Sequence, residues 1–150
     1  MIKVYRICRL RFVAFDGEGA RRQSGRWNVD GVPVIYTAGS LSLAVLEVLA
    51  HSDASLLPED LVYVEALIPA SIKIATLPEI PEDWQENPAP NSTKALGQKW
   101  VQEATSAVLA VPSTLVPIET NYLLNPAHKD FKKIRMQPPM KFNFDPRLLA

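Results

Sequence analysis

The sequence predicts an α+β domain built around a mixed or split β-sheet. Segments with strand character outnumber helical ones, two helical segments stand among the strands, and prolines interrupt the second half of the chain. With 150 residues, of which 47% are hydrophobic, the chain is long enough to bury one continuous core. No linker divides it, so we expect one domain over residues 1–150.

Periodicity in the first half predicts two strands, a loop and a helix. In chain order these are a strand over residues 2–12, a loop over 15–31, a strand over 32–38 and a helix from Leu41 to about His51. The first strand alternates apolar and polar side chains, and Arg6 falls on its apolar face. Ser40 is placed to cap the helix, which is apolar around most of its circumference and is therefore expected to be largely buried.

The second half predicts shorter strands, one more helix and a proline-rich connection. Strands are expected over 61–68 and 72–76, and later apolar runs at 107–111, 115–118, 122–124, 131–136 and 142–144 indicate strand and loop. Four prolines between residues 77 and 91 predict an irregular surface connection, because proline donates no hydrogen bond to a strand ladder. A helix from Asn91 or Ser92 to about Thr105 follows it.

Charge and cysteine content exclude several classes of protein. The net charge is zero, whereas a general nucleic-acid binder needs excess Lys and Arg to neutralise phosphates. The single Cys8 forms no internal disulfide, and basic residues among the first ten break any apolar run, which argues against a signal peptide or membrane span. We therefore expect a cytoplasmic protein that binds neither nucleic acid nor membrane.

Familiar metal and nucleotide motifs are missing from the sequence. His51 and His128 are far apart and accompanied by one cysteine, which gives no metal-ligand spacing, so no metal is expected. Residues 17–22 begin like a dinucleotide-binding fingerprint but lack its third glycine. Because a Walker-type phosphate loop and a nucleophile elbow are also missing, a nucleotide would need another architecture.

Several polar residues stand where the local pattern favours apolar ones. An inward-facing Arg6 needs a carboxylate or an anionic ligand, and Arg26, Trp27 and Asn28 follow a glycine where backbone and guanidinium can approach a phosphate. In a cleft, the mid-helix Glu47 could stabilise a cationic, sugar-like transition state or hold a ribose hydroxyl. Each residue also has an ordinary interpretation. Arg6 could form an internal ion pair, Arg26 could be a surface arginine beside the core residue Trp27, and Glu47 could face solvent.

Taken in chain order, these residues resemble the RES family, which is named for Arg, Glu and Ser. The matching segments are Tyr5-Arg6, Gly25-Arg26-Trp27-Asn28, Ile35-Tyr36-Thr37, Leu43 to Glu47, Leu96 to Trp100, Val111-Pro112-Ser113, Asn121 to His128 and Phe144 to Leu148. No single segment is specific, but their order extends nearly from end to end of the chain. The resemblance identifies residues 1–150 as a RES domain.

The resemblance implies a fold similar to that of ADP-ribosyltransferase toxins, in which NAD lies in a cleft of a split β-sheet. It also implies the toxic half of a bacterial toxin–antitoxin pair, whose partner is an Xre-like antitoxin that occludes the active site. The resemblance is also compatible with a homodimer of the toxin within that complex. NAD is the implied substrate, and no further cofactor is implied.

Carried over by position, the family's active-site residues are Arg26, Tyr36, Glu47 and Ser113. In the implied roles Glu47 stabilises the oxocarbenium ion, Arg26 with Arg6 pairs with the diphosphate, Tyr36 stacks on nicotinamide, and Ser113 bonds the carboxamide or ribose. The residues expected to bind NAD are Arg6, Arg26, Trp27, Asn28, Tyr36 and Ser113. Three functions stay open. The chain could cleave NAD with water or phosphate as acceptor, transfer ADP-ribose to a protein, or be an inactive binding module.

Overall fold

One β-sheet organises the computed structural model, which describes residues 1–14, 16, 25–53 and 56–149. Its strands are β1 (Ile2–Arg9), β2 (Ile35–Ala38), β3 (Leu61–Ile68), β4 (Ile74–Thr76), β5 (Val108–Pro112), β6 (Thr120–Leu124), β7 (Arg135–Met136) and β8 (Met140–Lys141). The two α-helices of the described ranges are α1 (Leu41–His51) and α2 (Asn91–Glu103). The sheet order is β4-β5-β6-β2-β1-β3-β7, and β8 also pairs with β3.

The sheet is mixed and opens in its middle. β4 and β5 run parallel, while the other pairs are antiparallel. β1 meets β2 at one register pair, Tyr5 with Ala38, although β1 aligns with β3 along its whole length. Because β2 belongs to the β6 side and β1 to the β3 side, the two halves diverge here. The predicted α+β domain with a mixed, split sheet is confirmed.

Helix α1 covers the β1 side of this opening. The Ser40 hydroxyl accepts a hydrogen bond from the Leu43 amide at 3.1 Å, which confirms the predicted cap. The helix is not largely buried as expected, because only one face packs on the sheet and Leu46 is 42% exposed. The buried cluster beneath α1 consists of Ile7, Ala38, Leu43, Ala44 and Leu61.

Helix α2 packs on the β5–β6 side and on the segment that leads into β2. A Cβ at Gly97 would lie 1.5 Å from the Trp27 carbonyl oxygen, so only glycine permits this approach. Trp27 and Trp100 share one buried cluster, and the Trp100 indole donates to the Ser106 hydroxyl at 3.0 Å. α2 thereby fixes the backbone next to Arg26.

The first predicted strand extends too far. β1 ends at Arg9, and Leu10–Phe12 form a 3-10 turn, because the partner strand β3 begins opposite Arg9 and leaves the later residues without a ladder. The expected single apolar face is also wrong. Val4 and Ile7, which point to opposite faces, are both buried because a separate hydrophobic cluster packs on each face of β1.

Several of the later apolar runs, for which strand and loop were expected, are not strands. Residues 115–118 form the turn between β5 and β6, and residues 142–144 pack through edge-to-face contacts of Phe142 with Phe144 and Tyr63. Of residues 131–136, only the last two form a strand. β2 and β4 start later than expected, at Ile35 and Ile74, whereas β3 and α1 have the predicted bounds and residues 77–90 are irregular as predicted. The glycine pattern at residues 17–22 lies outside the described residues.

Neither α-helix of the described ranges has both the length and the apolar character needed to cross a membrane.

Candidate functional site

A cavity of about 400 Å³ lies at the opening between β1 and β2. Its volume falls within the range of small-molecule sites. Strands β1 and β2, helix α1, the segment 25–27 and the facing ends of β5 and β6 supply its walls. Its charged and hydrogen-bonding side chains are Tyr5, Arg6, Arg26, Tyr36, Thr37, Glu47, His51, Ser52, Thr114 and Asn121. The side of helix α1 that carries Ala44, Glu47, Val48 and His51 therefore faces a cleft.

Glu47 is held in one orientation by two side chains. Its Oε1 accepts hydrogen bonds from Ser113 Oγ at 3.0 Å and from Asn121 Nδ2 at 2.9 Å. The Ser113 hydroxyl accepts from the amides of Leu115 and Val116, so its own hydrogen is directed at the carboxylate. Oε2 takes no part in these bonds. The site thus presents an oriented carboxylate on the cavity wall.

Tyr36 is tied to the segment before β2. Its hydroxyl donates to Asn28 Oδ1 and accepts from the Trp27 amide at 3.1 Å. Asn28 is fully buried, and its Oδ1 also accepts from the Gly25 amide at 2.8 Å. Burial raises the pKa of Tyr36 above its ordinary value, so the phenol stays neutral at physiological pH.

Tyr36→Phe is expected to lower the free energy of unfolding by about 1–3 kcal/mol at neutral pH. The Asn28 side chain and the Trp27 amide would both lose the phenolic hydroxyl as a hydrogen-bond partner. The folded wild type keeps the Tyr36 proton at a pH where the unfolded chain loses it, so the wild type loses stability as pH rises above about 10. The difference in free energy of unfolding between the wild type and Tyr36→Phe should therefore become smaller above about pH 10.

Urea unfolding of both proteins between neutral pH and pH 11 measures this difference. The pKa of Tyr5 is also raised by burial, but Tyr5 is present in both proteins and cancels. A difference that stays constant over the whole range would contradict the assignment.

Arg26 joins the cavity to the proline-rich connection. Its Nη1 donates to the carbonyl oxygens of Trp84 at 2.9 Å and Glu86 at 2.7 Å, and its own carbonyl accepts from the Thr93 hydroxyl at 2.7 Å. Burial lowers the pKa of the guanidinium, and the nearby charge of Glu47 opposes that shift. Two of the five guanidinium hydrogens hold residues 84–86, and Nε and Nη2 carry the others.

Arg26→Ala is expected to loosen residues 84–86 as well as to remove positive charge from the cavity. The amides of Trp84 and Glu86, which bond to Pro81 and Asp83, should exchange hydrogen faster. Hydrogen exchange followed by mass spectrometry measures this. Arg9→Ala is the matched control, because Arg9 pairs with Asp60 outside the cavity wall. Unchanged exchange at both amides would refute the anchoring role.

The structure brings five of the seven predicted site residues to the cavity wall, and the other two lie behind it. Arg6, Arg26, Tyr36 and Glu47 line the cavity. Trp27 contributes to the wall but is only 3% exposed, since it packs in the core. Asn28 and Ser113 are fully buried and act through Tyr36 and Glu47 respectively.

Sequence reasoning missed Asn121 as a site residue. Asn121 lies in β6, lines the cavity and bonds Glu47. Asparagine is common in turns, so the residue type alone did not mark Asn121 as part of a site. The available signal was its position just before the apolar run 122–124, in a segment that matches the family. Among the described residues, no group of three or more His, Cys, Asp or Glu side chains is placed to hold a metal ion.

Comparison with known proteins identifies the family of the chain. The family model of the RES domain matches residues 3–145. "Toxin Res" of Yersinia enterocolitica is 42% identical over 149 residues, which cover 97% of this chain and 98% of the relative. The "Prs ADP-ribosylating toxin" of Sphingobium sp. is 40% identical over 138 residues, which cover 89% of this chain and 86% of the relative.

A similar fold occurs in a solved structure, the M. tuberculosis MbcT-MbcA toxin–antitoxin complex. One of its chains superposes with a TM-score of 0.74 at 19% identity, over 99% of this chain and 86% of that one. This likeness shows a shared fold. The family model and the relatives show that the chain belongs to the RES domain family.

Proposed function

We propose that this chain is the toxin of a toxin–antitoxin pair and that it cleaves NAD between nicotinamide and ribose. The observation that carries the proposal is one cavity that contains the oriented carboxylate of Glu47 together with Arg26 and Tyr36. Two of its relatives are named toxins, and the similar solved chain comes from a toxin–antitoxin complex.

The chemistry of NAD explains the need for a carboxylate. Nicotinamide is bound to ribose through a cationic ring nitrogen, so it leaves as a neutral molecule and positive charge develops on the ribose. Glu47 would stabilise this oxocarbenium ion, and its bonds to Ser113 and Asn121 orient it before the substrate arrives. Addition of water at the ribose carbon then yields ADP-ribose, and one proton is released.

The other cavity residues suit the remaining parts of NAD. Arg6 and Arg26 are cations in the cavity wall, and guanidinium groups bind phosphate oxygens well. Tyr36 offers an aromatic ring for the nicotinamide, with its hydroxyl held by Asn28. In this proposal Asn28 and Ser113 position other side chains and do not contact the substrate.

Transfer of ADP-ribose to a protein is the second candidate function. It is favoured by the relative named as an ADP-ribosylating toxin. The first step is the same, because nicotinamide must leave before a nucleophile takes the ribose carbon. The acceptor is then a protein side chain instead of water or phosphate.

Incubation of the purified chain with NAD alone tests both candidates. Chromatography follows nicotinamide, ADP-ribose and, when phosphate is added, phosphorylated ADP-ribose. Rapid nicotinamide release without a protein acceptor supports cleavage. Release that occurs only with cell extract, together with labelling of a protein by radioactive NAD, supports transfer. Absence of both reactions would contradict both candidates and favour an inactive binding module.

The proposed partner is an Xre-like antitoxin that occludes the cavity in the cytoplasm. An NAD-consuming enzyme would kill its host unless a partner restrained it. Co-expression with a helix-turn-helix protein encoded beside this chain should restore growth and block NAD cleavage in the purified complex. Light scattering of that complex measures whether a homodimer of the toxin is present. Full activity in the complex would refute occlusion.

A further inference from the structure

Asn121 carries two amide atoms with different surroundings. Its Nδ2 donates to Glu47 Oε1 at 2.9 Å. Its Oδ1 is buried and has no hydrogen-bond donor among the residues that the structure describes. Register places Asn121 opposite Ala38 of β2 and Val111 of β5, at the edge of the opening in the sheet.

The contact with Glu47 determines which way the amide points. A flipped amide would set Oδ1 against a carboxylate oxygen, and two acceptors repel each other. Oδ1 is therefore directed away from Glu47. A buried acceptor without a partner costs stability and is uncommon in folded proteins. Because Asn121 is a residue of the cavity wall, its unpartnered oxygen indicates a place for a ligand donor.

We propose that Asn121 is a substrate-binding residue, whose Oδ1 accepts a hydrogen bond from the nicotinamide riboside half of NAD. The donor is either the carboxamide N–H or the 2′-hydroxyl of the nicotinamide ribose, since the carboxamide belongs to the leaving ring and the 2′-carbon is bonded to the reacting carbon. The inference rests on the proposed function. Nδ2 keeps its bond to Glu47, so one side chain both orients the carboxylate and binds the substrate.

Ser113 provides the matched control. Its hydroxyl bonds the same Glu47 Oε1, but Ser113 is fully buried and does not line the cavity. Loss of Ser113 should therefore affect only the carboxylate, whereas loss of Asn121 removes a contact to the substrate as well. The two residues should differ in their effect on NAD affinity.

The experiment measures NAD binding by calorimetry in a Glu47→Gln protein, which slows turnover and still offers an acceptor to Asn121 and Ser113. Adding Asn121→Ala is expected to weaken NAD binding by about tenfold, and adding Ser113→Ala by less than about twofold. Equal NAD affinities in the three proteins would overturn the inference. If Asn121→Ala fails to fold in a thermal melt, Asn121→Ser, whose shorter side chain withdraws the acceptor, takes its place with the same expectation.

Two NAD analogues identify the donor. One carries a carboxylate in place of the carboxamide, and the other lacks the 2′-hydroxyl of the nicotinamide ribose. The analogue that lacks the true donor should bind with the same affinity to the Glu47→Gln protein and to the protein that carries both Glu47→Gln and Asn121→Ala. If Asn121→Ala weakened both analogues as much as NAD, the inference would be overturned for these two donors. Failure of the proposed function looks different, because the Glu47→Gln protein would then not bind NAD at all.

Discussion

Glu47→Gln is expected to lower the rate of nicotinamide release from NAD by about 100- to 1,000-fold. The carboxamide retains an oxygen that accepts the bonds from Ser113 and Asn121, so the orientation of the side chain is preserved. The negative charge that opposes the developing oxocarbenium ion is lost. Initial rates of nicotinamide release, measured by chromatography with NAD alone, check the prediction.

The controls for this variant separate charge from folding. Its free energy of unfolding in urea should stay close to that of the wild type, because glutamine has nearly the same shape and its amide oxygen can accept the same two hydrogen bonds. Glu103→Gln removes an exposed carboxylate that pairs with Lys99 on α2 and should leave the rate unchanged. A folded Glu47→Gln protein with the wild-type rate would contradict the proposed role of the carboxylate.

Gly97→Ala is expected to destabilise the protein by about 1–3 kcal/mol or more, although alanine normally favours a helix over glycine by about 0.5–1 kcal/mol. The reason is steric, because the new Cβ would lie 1.5 Å from the Trp27 carbonyl oxygen and 2.6 Å from the carbonyl carbon. Backbone atoms cannot rotate away, so helix α2 or the segment that carries Arg26 must move. Urea unfolding measures the loss.

Ala95→Gly, at an exposed position of the same helix, is the matched control. It should cost only about 0.5–1 kcal/mol, the ordinary difference in helix propensity. NAD cleavage by Gly97→Ala should also fall, since Arg26 is adjacent to the displaced Trp27. If Gly97→Ala were as stable as the wild type, the close approach of α2 to this segment would be refuted.

Elements with strong local signals were predicted with accurate bounds. Leu41–His51 has Ser40 as a cap, and Leu61–Ile68 is an uninterrupted strand pattern next to a turn. Residues 10–12 and 115–118 have equally apolar sequences but form turns, because no partner strand lies beside them. Whether an apolar run becomes a strand depends on a hydrogen-bonding neighbour that is distant in the chain.

The candidate site was only partly predictable for the same reason. The family resemblance supplied Arg26, Tyr36, Glu47 and Ser113, and the burial of Ser113 behind Glu47 emerged only from the structure. No local pattern distinguishes a serine that contacts a substrate from one that holds a carboxylate. Asn121 is far from Glu47 in sequence, and their contact depends on β6 and α1 meeting at the opening of the sheet.

Short-range periodicity predicts the α+β class, both α-helices and the longest strands, and the order of short segments along the chain identifies the family. Three features became visible only in the folded chain: β1 and β2 diverge, the side of α1 that carries Glu47 faces the resulting cavity, and Asn121 and Ser113 bond the same carboxylate. These features depend on pairing and packing between segments that are far apart in the chain. Such contacts do not produce a periodic pattern in the sequence of either segment, so local periodicity cannot predict them.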